Sequence, residues 1–285
     1  MKITRFKESD LFDNLDKVDA WLTARGFTQR NRLRIYRENL IEMRDTDDVE
    51  MLHSQVQKQE RMSEMLTSCF EGFELSDALT TLLDNNVAIP DELLKRSLDG
   101  HADAAQETVK SNQGRNAMFE LSIAAAVARK GLKPTFNLDK PDLEFKFEGR
   151  RVLMECKRVF SENGIDDAMS AGIRQLRKTV NVSADDVGLV AVNISRLFHK
   201  GDGWLPIERD VHPVRALSKM VLRVMQCREE NIKRRKEPAM RGMVFYAASP
   251  FEIEGVAYMP VRMAMVFRMD SGDELIRRLS ETLRL

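Results

Sequence analysis

The sequence predicts an α/β protein with a mixed central sheet flanked by helices, preceded by an all-helical N-terminal region. Three observations carry this. Residues 1–110 repeat apolar side chains at helical spacing. After Ser111-Asn112-Gln113-Gly114 the pattern changes to short alternating or wholly apolar runs separated by helical stretches. Those later elements run helix, three strands, helix, strand, helix, strand, strand, helix, the order of a sheet covered on its faces.

In the first region, "LFDNLDKVDAWLTARGF" places apolar residues at 11, 12, 15, 18, 21 and 22, with Gly26 as a stop. "RNRLRIYRENLIEMRD" continues with Leu33, Tyr36, Leu40 and Met43 on one side. "MLHSQVQKQERMSEMLTSCFEGF" aligns Met51, Leu52, Val56, Met62, Met65 and Leu66. "SDALTTLLDNN" reads as a separate short helix capped by Ser76. "IPDELLKRSL" follows, with Pro90 near its start. No period of about 20–50 residues repeats, so a solenoid is unsupported.

The second region opens on the Ala-rich helix "RNAMFELSIAAAVARKGL", closed by Gly131. "KPTFNL", "DLEFKF" and "RVLMECKRV" read as strands, then "GIDDAMSAGIRQLRKTV" as a helix. "VGLVAVNIS" has the composition of a strand buried on both faces. A basic helix from about Val214 to Arg235 leads to strands "GMVFYAAS" and "VRMAMVFRM". "SGDELIRRLSETLRL" closes as a helix with Ser271 as a cap. The expected division is 1–110, a helical recognition or oligomerisation domain, and 111–285, the α/β domain.

Composition narrows the function classes. Net charge is zero, so no global polycation signal for nucleic acid exists. Residues 1–114 hold 15 Lys/Arg against 22 Asp/Glu, and the remainder is correspondingly basic. Cys69, Cys156 and Cys227 are scattered, which argues against a structural zinc site and a disulfide framework. "MKITRFKESD" lacks the apolar core of a signal peptide, and no run suits a spanning helix. A cytoplasmic protein with no membrane partner is expected.

The chemistry concentrates in residues 137–160, "NLDKPDLEFKFEGRRVLMECKRVF". Alternation puts Val152, Met154 and Cys156 on one strand face and Leu153, Glu155 and Lys157 on the other. Glu148-Gly149-Arg150 makes an antiparallel hairpin, which brings Asp142 toward Glu155 and Lys157. Asp142 opens the first strand or closes the loop before it. Two carboxylates and an ammonium suit Mg²⁺ or Mn²⁺ with phosphate oxygens and water. A metal there polarises a phosphoryl oxygen, and a Lys beside it orients water and offsets growing charge. That set fits phosphodiester hydrolysis. The bland alternatives are an ion pair worth about 0–1 kcal/mol for Glu155 and Lys157, and a turn residue for Asp142.

Pro141-Asp142 followed by Glu155-Cys156-Lys157 resembles the signature of the PD-(D/E)xK nuclease superfamily, the restriction-endonuclease-like fold. That superfamily's core is a helix, a three-strand meander, a second helix and a further strand, and residues 115–195 read in that order. The resemblance implies a metal-dependent nuclease, acting on DNA ahead of RNA, in a setting such as defence or repair. It implies metal ligation by Asp142, Glu155 and the Cys156 main-chain carbonyl, with Lys157 catalytic. Glu120, on the core helix, is then an added ligand and catalytic group, and Gln175, on the second helix, a catalytic neighbour. A homodimer is also implied. A catalytically inactive nucleic-acid-binding or scaffolding protein on the same fold is the alternative.

Cys156 as a nucleophile is disfavoured, because its side chain points to the packed face. Lys233, Arg234, Arg235 and Lys236, in "REENIKRRKEPAMR", are candidates for gripping phosphates, against the plainer reading of a solvated helix end. Trp204, in the loop between His199 and His212, is a candidate stacking residue, with a plain surface loop preferred.

Overall fold

A computed structural model describes residues 8–28, 31–45, 59–108, 112–137, 139, 141–181, 186–198, 205–208, 211–235, 237–253 and 256–283. The helical region contains α1 (Glu8–Ala24), α2 (Arg32–Asp45), α3 (Gln59–Asp84) and α4 (Asp91–Leu98). The α1 stripe of Leu11, Leu15, Val18 and Leu22 is buried, and the chain leaves that helix at Gly26 with φ +86. The expected break at Ser76 is absent, and α3 runs straight through it. Ser76 is buried and donates to the Phe73 carbonyl at 3.2 Å instead of capping a new helix. Gly72 stays helical because α2 packs there: a Cβ on it would lie 3.2 Å from the Tyr36 Cβ. Met51, Leu52 and Val56 lie outside the described residues, as do the side chains of Met62 and Leu66.

The α/β part begins with α5 (Gln113–Ala128) and continues β1 (Thr135–Phe136), β2 (Leu143–Phe147), β3 (Arg150–Arg158), α6 (Asn163–Leu176) and β4 (Val187–Asn193). Then come β5 (Leu205–Ile207), α7 (Pro213–Arg234), β6 (Gly242–Ile253), β7 (Val256–Arg268) and α8 (Glu274–Leu283). The seven strands form one open mixed sheet. β1, β2 and β3 are a meander, β3, β4 and β6 are parallel, and β7 is antiparallel to β6. β5 pairs with the last residues of β6, an element too short to carry a sequence pattern. The α8 cap is Asp273, whose Oδ1 accepts from the Ile276 N–H at 3.1 Å, rather than Ser271.

Both sheet faces are covered. Val152, Met154 and Cys156 join the core that holds α5 and α8 and runs on through α1, α3 and α4. Leu153 joins the opposite core, under α6 and α7. The alternation read from "RVLMECK" is therefore the alternation of two cores. Residues 109–111, where the helical and α/β regions meet, lie outside the described residues, while the apolar core is continuous from one region into the other. Gly172 lets α6 sit down on β4: a Cβ there would meet the Val190 methyls at 2.6 and 2.9 Å. Among the described residues no helix is long and apolar enough to cross a membrane.

Candidate active site

The hairpin turn fixes the site. Glu148 and Gly149 both have positive φ, 49° and 78°, as a two-residue type I′ turn requires. A two-residue turn leaves one register, with Phe147 opposite Arg150 and Leu143 opposite Met154. One step further, Asp142 falls opposite Glu155. Asp142 Oδ2 then accepts the Cys156 N–H at 2.8 Å, which ties the carboxylate to the end of β3.

Lys157 gathers what the register brings together. Its Nζ lies 2.8 Å from Glu155 Oε2, 3.2 Å from the Cys156 carbonyl oxygen and 3.6 Å from Asp142 Oδ2. Three oxygens thus surround one cationic nitrogen. The environment is largely dry: Glu155 is 0% exposed and Asp142 6%. Carboxylates in such surroundings are costly unless a cation faces them, and Lys157 is that cation here. Glu120, on α5, is also buried and lines the same cleft as Asp142 and Lys157.

Burial first, then the charges of Asp142 and Glu120, push the Cys156 thiol well above its ordinary value. It is a neutral packed side chain, as its strand face predicts, and its main-chain N–H and carbonyl oxygen are the groups bonded to the charged cluster.

The cleft has a volume of about 260 Å³. Arg96 from α4, Gln113 and Asn116 from α5, and Arg158 also line it. Sequence reasoning passed over these four. Asn116 and Glu120 are four apart on one helix, so that pair was readable as a shared face. Arg158 follows Lys157 directly and pairs with the buried Glu107 carboxylate, its guanidinium 5.4 Å from the Phe160 ring centroid. Arg96 comes from a distant part of the chain and had no local signal.

Gln175, on the last turn of α6, is not among the residues that line the cleft, and its Oε1 is buried with no hydrogen-bond partner among the described residues. One turn earlier, Gly172 packs on Val190, the β4 residue paired with Glu155. The basic run of α7 is also elsewhere. Lys233 and Arg234 pair with Glu229 and Glu230 of their own helix, and Arg235 bonds the Asp166 carbonyl and the Ser170 hydroxyl of α6. Lys236, His199 and Trp204 lie outside the described residues.

A larger hollow of about 660 Å³ opens at the other end of β3, beside the hairpin turn. Its Arg278 and Arg241 are already forked onto Glu148 and Asp273, so its charges are mutually satisfied.

Among the described residues no group of three His, Cys, Asp or Glu side chains is placed to hold a metal. The donor set here is two carboxylates and a main-chain carbonyl, which suits an ion that keeps several waters. Comparison with protein-family models and with curated proteins gives no match for this chain.

Proposed function

We propose that the chain is a Mg²⁺- or Mn²⁺-dependent nuclease built on a restriction-endonuclease-like core, hydrolysing phosphodiester bonds in DNA ahead of RNA. The observation that carries it is the convergence of Asp142 Oδ2, Glu155 Oε2 and the Cys156 carbonyl on one cationic group, the Lys157 ammonium. These are hard oxygens, the type that Mg²⁺ and Mn²⁺ select. The order of α5, β1 to β3, α6 and β4 supports the same reading.

In this reading Asp142, Glu155 and the Cys156 carbonyl hold the ion, with Glu120 reaching it directly or through water. When bound, the ion supplies Lewis-acid activation of water and of the scissile phosphate. The Cys156 N–H holds Asp142 in register for this role. Lys157 swings from the carboxylates to orient the attacking water and offset charge growing on the phosphate. The dry surroundings strengthen each of these interactions relative to water. A homodimer and a cytoplasmic setting belong to the same proposal.

The test is cleavage of plasmid and of single-stranded DNA and RNA with Mn²⁺, for wild type, Asp142→Ala and Glu155→Ala. Wild type cuts and both variants do not. Intact substrates under every condition, with binding retained, sink the nuclease reading. They would leave a binding protein on the same fold.

A further inference from the structure

Arg96 is held at the cleft by the way two helices meet. Gly114, in the first turn of α5, lies against the end of α4. A Cβ there would sit 2.3 Å from the Asp99 carbonyl oxygen and 3.1 Å from that of Arg96. Such an approach needs glycine. It brings an arginine of the helical region to the cleft that holds Asp142 and Lys157.

Two buried polar atoms here have no hydrogen-bond partner among the described residues. The Arg96 Nε is buried and makes no hydrogen bond among the described residues, and neither does the Asn116 Oδ1. Buried polar atoms in folded proteins are partnered by protein, water or a ligand. A guanidinium beside a metal-type carboxylate pair has the fork geometry and charge that select phosphate.

Access is narrow. The cleft is about 260 Å³, smaller than most sites for drug-sized ligands, and its carboxylates are almost wholly covered. One strand can bend a single phosphodiester into such a space. A stiff duplex keeps its phosphates on the outside of a wide rod, whereas the Asp142 carboxylate is only 6% exposed.

Resting on the nuclease reading for its chemistry, we propose that Arg96 binds a substrate phosphate and that the wall it completes makes single-stranded nucleic acid the substrate class. The helical region thereby contributes to the site itself, and cutting one strand needs no second active site.

The experiment measures binding of an end-labelled oligonucleotide by fluorescence anisotropy, as a single strand and as a blunt duplex, with Ca²⁺ in place of Mn²⁺. Cleavage of both forms is then followed with Mn²⁺. The single strand binds and is cut at least tenfold better than the duplex. Arg96→Ala weakens single-strand binding about tenfold or more, as loss of a charged hydrogen bond should. It also lowers the slope of log affinity against log salt by about 0.7, the value for one phosphate contact on a single strand. Arg96→Lys recovers part of the affinity, and thermal midpoints stay unchanged. Equal handling of duplex and single strand overturns the proposal, as does an Arg96→Ala protein with unaltered affinity and slope. If Arg96-dependent single-strand binding is found but nothing is cut, the nuclease reading falls and the single-strand wall stands.

Discussion

Replacing Glu71 with Gln should destabilise the protein by several kcal/mol at neutral pH, and the structure gives the size. Glu71, on α3, is 3% exposed. Its Oε1 accepts from Arg115 Nε of α5 at 2.5 Å, and its Oε2 accepts from the Tyr36 hydroxyl at 2.6 Å. Arg32 Nη1 lies 3.5 Å from Oε2. Burial alone pushes this carboxyl up, but Arg115 and Arg32, with the hydrogen bonds, hold it down at about 2 from 4.5. A depression of that size corresponds to about 3 kcal/mol, since one pKa unit is about 1.4 kcal/mol. The folded value lies below the unfolded one. The contribution is therefore complete above pH 4.5 and fades as pH falls toward about 2. Glu71→Gln keeps the volume but strands two buried guanidiniums, with side-chain exposures of 2% and 0%. Breaking a buried pair in this way costs about 3–5 kcal/mol. Urea unfolding at pH 7 should show that loss in a single transition, because the core is continuous from α1 to α8. The gap between wild type and variant should narrow below pH 4.5. A loss under about 1 kcal/mol, or a gap constant with pH, refutes the reasoning.

Other outcomes follow from single contacts. Lys157→Ala should keep Mn²⁺ binding, measured by calorimetry, while turnover falls by at least about a hundredfold, a typical loss for a positioned proton-handling or charge-offsetting group; loss of Mn²⁺ binding would show that its role is structural. Gly172→Ala should cost about 1–3 kcal/mol by overpacking against Val190, and Gly172→Ala with Val190→Ala should recover part of it. Cys227 is exposed, whereas burial pushes Cys69 up to about 12 and, with nearby carboxylates, raises Cys156 strongly. Iodoacetamide at mildly alkaline pH should therefore label Cys227 alone in the folded protein, as read by peptide mass spectrometry. Rapid labelling of Cys156 would mean that the end of β3 opens to solvent.

The site was legible where local geometry determined it. A Glu-Gly turn between two alternating strands allows one register, and that register alone puts Asp142 opposite Glu155. The apolar stripes of α1, α2 and α5 followed from helical spacing, and the alternation in β3 from two covered sheet faces. What escaped was decided by distant contacts. Ser76-Asp77 has the composition of a helix start, but packing against α2 and α5 keeps α3 continuous. Ser271 and Asp273 are both good caps, and Asp273 also forks onto Arg241, which fixes it as the one used. Gln175 was placed by likeness to a motif, and it is not among the residues that line the cleft. Arg96 reaches the cleft only because Gly114 has no side chain, a relation between two helices that no window of sequence contains.

The most direct test of the account is the structure determined with saturating Mn²⁺, inspected by anomalous scattering. A single ion within about 2.6 Å of carboxylate oxygens from both Asp142 and Glu155, with the Lys157 ammonium moved off them, is the predicted result. Lys157 still bridging the two carboxylates at saturating Mn²⁺, with no ion shared between them, would contradict it.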